Sequence, residues 1–177
     1  MQLENHQIFL NHLKAKAIKL VNIGAEDLWS GDRKLVLGLT WTLILRYEIH
    51  QFGGNETELL DWAKELTTKY DLNMDGGWGK AFNDGQAFCA MVHEAEPDII
   101  DLEATKNMEA EPALQTAFDA ASDHLGVPQL LDASDFSEGV DTKSVIVYVA
   151  KLKHACDEHV AVREAAEAAA AEDAAKA

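Results

Sequence analysis

At 177 residues and 47% hydrophobic composition, the chain can build a sizeable core in about one domain. A net charge of −16 leaves no basic footprint for nucleic acid, and two cysteines make no disulfide framework. Only three Pro and eleven Gly point to regular, helical structure.

The elements follow in chain order. Residues 4–16 carry Ile8 and Leu13 near helical spacing and predict a first helix. "IKLVNIG" breaks at Gly24, and "AEDLWSGD" reads as a short helical turn followed by a loop. Ser30 or Asp32 can cap the next helix, residues 33–49, which is apolar on nearly every side. Such a helix is either buried centrally or presents an apolar face to a partner. Gly53 and Gly54 end it, and Asn55 or Thr57 caps an amphipathic helix that runs to about Tyr70. Asn83 or Asp84 caps "GQAFCAMVHEAE", where Phe88, Met91, Val92 and Ala95 share one face. A helix over residues 112–125 stops at Gly126, and Asp132 or Ser134 starts a turn. Residues 141–160 form the last packed helix. The tail "VREAAEAAAAEDAAKA" has high helix propensity but nothing large to bury. No useful strand pattern appears, so the expected fold class is all-α.

Charge is unevenly distributed. Residues 1–50 hold six Lys/Arg and five Asp/Glu, whereas the rest hold nine and twenty-six. An acidic partner is therefore expected to meet the N-terminal segment. The N-terminus lacks the pattern of a signal peptide. The longest apolar run, "LVLGLTWTLIL" at residues 35–45, falls short of the ~20 residues that span a bilayer. No membrane insertion is expected, and a cytoplasmic location is.

One loop imitates a metal site. Asp71, Asn73, Asp75 and Gly76 reproduce the first half of an EF-hand calcium loop. Position twelve, however, is Phe82 rather than a bidentate Glu, and position eight is Trp78. Ligand count favours a polar turn, with a calcium-responsive module as the lesser alternative. No nucleophile elbow, phosphate loop or zinc-protease motif is present, so neither catalysis nor a cofactor is expected. Cys89 and His93 lie one helical turn apart among Phe88, Met91 and Val92, which suits a small buried thiol. His154, Cys156, Glu158 and His159 crowd the last helix without converging, so no metal site is assigned.

Residues 18–49 and 59–159 resemble the tandem calponin-homology actin-binding region of the α-actinin, filamin and spectrin family, with wording nearest the α-actinin type. The first segment carries K-L-V-x-I followed by "GDRKLVLGLTWTLIL". The second carries "LLDWAKELTTKY", "FNDGQAFCAMVHEAEPDIIDLE", "AFDAASDHLGVPQLLDASDF" and "DTKSVIVYVAKLKHA". The resemblance implies four parts: the C-terminal half of a first calponin-homology domain at 1–50, a linker at 51–58, a second domain at 59–159, and an Ala-rich helical tail or linker at 160–177. It begins part-way through the first domain. The opening helix, one of the family's actin contacts, is therefore expected to be missing, as in a fragment, a truncated reading frame or a degenerate domain.

The same resemblance implies a non-catalytic module that binds filamentous actin in the cytoskeleton, within a crosslinking protein. Arg33, Lys34, Leu35, Leu39, Thr42, Leu43 and Arg46 match the family's actin-binding segment. A mainly apolar helix with basic ends also suits an acidic, partly apolar surface. Trp41, Leu37 and Ile44 are expected to face the core instead. Glu94 and Glu96 stand where α-actinin is basic, which opposes a phosphoinositide head group. Residues 1–50 are expected to dock on the second domain or pair with another copy. A scaffold with little actin binding is the main alternative. Trp78 and Phe82 are expected to plug the second domain's core, and Trp62, Phe88, Phe118 and Val149 to share it.

Overall fold

The computed structural model describes residues 2–50 and 54–176, and among these it contains helices and turns without a strand. The all-α expectation holds. Two compact units emerge, Met1–Gln51 and Phe52–Ala177, and each is described by itself.

In the first unit, α1 (Gln2–Ala15) buries Leu10 and Leu13. The chain then turns at Ala17, where φ is 57°, and tucks Ile18 inward. Helix α2 (Ala25–Ser30) starts where Asp27 Oδ2 accepts from the Gly24 N–H at 2.7 Å. Asp32, one of the two expected caps, accepts from the Leu35 N–H at 3.0 Å and opens α3 (Arg33–Ile44). A π turn, Leu45–Ile49, extends it. The core is small: Leu10, Leu13, Ile18, Ala25 and Leu39, flanked by Leu20, Ile23, Leu28 and Leu43.

That core decides how α3 sits. Leu39 and Leu43, one turn apart, face α1 and α2. Leu37 lies two residues before Leu39 and so projects from another side of the helix, 57% exposed. The expectation that Leu37 is core was wrong. Trp41 and Ile44 are half-buried.

In the second unit, α4 (Glu56–Thr68) begins with a reciprocal cap. Asn55 Oδ1 accepts from the Thr57 and Glu58 N–H groups, while Glu58 Oε2 accepts from the Asn55 N–H. Next come a short 3₁₀ turn (Gly77–Gly79), α5 (Gln86–Ala95) and α6 (Leu102–Thr105). Helices α7 (Ala110–Leu125), α8 (Asp135–Glu138) and α9 (Thr142–Lys176) complete the unit. Helix α9 continues without a break through the boundary expected at residue 160.

Helix α5 is the centre, packed by α4, α7 and α9. Sequence periodicity gave it one apolar face, yet Ala87, Cys89 and Ala90 are buried too. Around Phe88 the rings of Phe118, Tyr148 and Phe136 meet edge-on, with centroids 5.3, 5.6 and 6.0 Å away. This arrangement places the positive edge of one ring over the negative face of another. Val149 is fully buried as well, in agreement with the expected core. Trp62 departs from it. The indole is half-buried, with the Lys153 ammonium 5.4 Å from its ring centroid, because a flat aromatic at the edge of α4 can shelter beneath a cation.

The loop that imitates a calcium site is internally satisfied. Asn73 donates to Asp75 Oδ2 at 2.6 Å, Asp71 adopts φ 57°, and Met74 is buried. Phe82 is fully buried, and Trp78 stacks on it at 5.4 Å with an 8° interplanar angle. Among the described residues, no three His, Cys, Asp or Glu side chains are grouped to hold a metal ion. No described helix is long and apolar enough to cross a membrane.

Both thiols are buried. Cys89 Sγ donates to the Ala113 carbonyl at 3.4 Å, and Cys156 Sγ to the Met91 carbonyl at 3.1 Å. Burial pushes their pKa values up to about 11 and about 12, respectively.

Candidate functional site

The residues matched to the filament-contact segment fall into three environments. Arg33, Lys34 and Arg46 are exposed. Leu35, Thr42 and Leu43 are half-buried, and Leu39 is only 7% exposed because it closes the first unit's core. Leu39 therefore supports the helix from beneath, and Leu43 packs against the same cluster.

Between α3 and the loop at residues 19–23 runs a groove of about 240 Å³. Leu20, Val21 and Ile23 line it from the loop, and Leu35, Gly38, Leu39 and Thr42 from the helix. Lys19 and Lys34 line it too, so an apolar depression carries positive charge. Thr42 spends its hydroxyl on the Gly38 carbonyl, 2.9 Å away, which removes a polar demand from the surface. A second, shallower depression of about 460 Å³ shares Lys19 and Thr42 and adds Leu45, Arg46 and His50.

Lys34, Leu35, Leu39, Thr42 and Arg46 thus come together along one surface, while Arg33 and Leu43 line neither depression. Lys19, Val21 and His50 were missed by sequence reasoning. Lys19 stands alone among apolar neighbours in "IKLV", and the structure leaves Val21 63% exposed despite its apolar character. His50 follows the π turn directly and is exposed. The surface offers apolar contact flanked by cations. Among the described residues it brings together no nucleophile, base and oxyanion donor.

A family model described as the calponin homology (CH) domain matches residues 1–49 and 54–158. The chain belongs to the calponin homology family. The first calponin homology stretch is less than half the length of the second. Alpha-actinin A of Dictyostelium discoideum is 37% identical over 158 residues, covering 86% of this chain and 18% of its own length. Human alpha-actinin-1 is 35% identical over 152 residues, 82% of this chain and 17% of its own. The erythrocytic spectrin beta chain of Mus musculus is 37% identical over 163 residues, 86% of this chain and 8% of its own. The chain therefore spans under a fifth of the length of these curated relatives. The crystal structure of the actin-crosslinking core of Schizosaccharomyces pombe fimbrin superimposes with a TM-score of 0.69 at 21% identity. That match covers 86% of this chain and 34% of the fimbrin chain, and it shows a shared fold.

Proposed function

We propose that this calponin homology chain is a non-catalytic module that binds actin filaments as part of a cytoskeletal crosslinking protein. The observation that carries this reading is the apolar groove beside α3, lined by the cation Lys34, with the exposed Arg46 in the depression that adjoins it at Lys19 and Thr42. The names of the relatives support it: alpha-actinins and a fimbrin core named for actin crosslinking. In this reading residues 1–50 are the C-terminal half of a first calponin homology domain, 51–58 a linker, 59–159 a second domain and 160–177 an outgoing tail. The working location is the cytoplasmic actin cytoskeleton. Nucleic acid and phosphoinositide are disfavoured as partners, since the acidic excess lies in residues 51–177 and includes Glu94 and Glu96.

Charge reversal tests the contact. Lys34→Glu and Arg46→Glu should each weaken co-sedimentation with filamentous actin by roughly ten-fold, about 1.4 kcal/mol. Stability should change by no more than about 0.5 kcal/mol, because both side chains are exposed. Rising salt should weaken the wild-type interaction in parallel, as screening acts over about 8–10 Å. Unchanged co-sedimentation in both variants would remove α3 as the contact and favour a scaffold role.

The first unit also carries Leu3, Ile8, Phe9, Val21, Trp29 and Leu37 in exposed positions, a large apolar surface for so few residues. We infer that residues 1–50 self-associate. Sedimentation velocity should show a mass that rises with concentration across the micromolar range. A monomer at every concentration would sink this inference.

A further inference from the structure

Helix α9 stops supplying the core at Cys156, which is 2% exposed. Beyond it Asp157, Glu158, Ala161 and Val162 are exposed, as is every described side chain from Glu164 onward. Arg163 differs. It is half-buried, and its Nη1 donates to the Glu94 carbonyl at 3.0 Å and the Ala95 carbonyl at 2.7 Å. Those carbonyls belong to the last turn of α5, where no further helical N–H follows to satisfy them. A guanidinium there also meets the negative end of the helix dipole.

The same turn is gripped from another side. The Glu94 carboxylate accepts from Lys69 Nζ at 2.7 Å and from the Tyr70 hydroxyl at 2.6 Å. Burial opposes ionisation of Glu94. The two donors, with the charges of Lys69 and Arg163, nevertheless hold its carboxyl below the usual range. Arg163 is therefore bonded to a fixed point, not to a mobile loop end.

Beyond Arg163 the chain reads "EAAEAAAAEDAAK", and α9 runs through it to Lys176. Even Ala-rich helices shorter than about 12–15 residues are marginal in water, because the first turn is costly to form. Alone, this segment would sit at that limit, and its described side chains are exposed; as a continuation of α9 it needs no new first turn, only a fixed turn to extend from. We propose that Arg163 is the root of the outgoing helix: by pinning its turn to α5, it fixes the last anchored turn of α9, from which residues 164–176 propagate.

Hydrogen–deuterium exchange on the full chain tests this with Arg163→Ala and Arg163→Lys. Amides of residues 160–172 should exchange at least five-fold faster in the Ala variant, while those of α5 and α7 keep their protection. The Lys variant should lie between, since a shorter-reaching ammonium replaces the Nη1 that donates to both carbonyls. Wild-type protection beyond residue 160 in Arg163→Ala would overturn the proposal, leaving propensity alone to hold the tail. Loss spread equally through α4, α5 and α7 would also overturn it, by making Arg163 a general stability residue. If the Ala variant does not fold, the Lys variant decides between the same outcomes.

Discussion

Truncating Phe118 to Ala should destabilise the second unit by about 3–5 kcal/mol in a denaturant melt. The side chain is fully buried, with ring centroids of Tyr148, Phe88 and Phe136 at 5.1, 5.3 and 6.1 Å. Those three rings stand on three other helices, α9, α5 and α8. Closing the vacated space would require helices to shift, so much of the cavity should persist and the cost should fall high in the range. Breaking the edge-on ring pairs adds to the cost of transferring the side chain. The denaturant slope should stay constant, which separates lost stability from a change in the unfolded ensemble. A loss below about 1 kcal/mol would contradict the packing of α7 against α5.

Gly85→Ala should be nearly as damaging, for a different reason. Gly85 precedes α5 with φ +76°, and an added Cβ would lie 2.6 Å from the Leu114 nitrogen and 2.9 Å from the Ala113 carbonyl carbon. The left-handed backbone alone costs a side-chain-bearing residue roughly 1–2 kcal/mol. The clash is with the backbone of α7, which cannot rotate away as a side chain would, and overpacking of this kind costs about 1–3 kcal/mol. Together they give about 2–5 kcal/mol. Gly126 provides the control, with φ +67° and open space around its Cβ position. Gly126→Ala should show the conformational cost alone, about 1–2 kcal/mol. Equal effects at the two glycines in thermal melts would mean that α5 and α7 do not approach as closely as the structure places them.

Local chemistry was the legible part of the sequence. Asp32 and Asn55 cap their helices because a short oxygen-bearing side chain before an apolar run can reach the free N–H groups, whatever the tertiary fold. The face of α7 was legible for a similar reason, since Leu114, Ala117, Phe118 and Ala121 recur with helical spacing. Helix α3 was not. Being apolar all round, it contains no period from which to choose a face, so Leu37 reads as core and Leu39 as contact, whereas packing against α1 and α2 buries Leu39 and leaves Leu37 exposed. The groove was missed in part because its second wall is a loop, and loops have no period at all. The role of Gly85 was hidden too. The approach of Leu114 to it is a contact between residues far apart in sequence, which no local pattern encodes.

The sheltered thiols change what an oxidant can do to this chain. Cys89 and Cys156, the only two cysteines, each sit inside the second unit with the sulfur turned to a backbone carbonyl. A reagent meets neither while the unit stays closed, and the raised pKa values keep the reactive thiolate scarce even then. Redox damage here is gated by opening of the fold. When modification is faster than reclosing, each modified sulfur records one opening event, and the chemical ageing of the module runs on its unfolding clock.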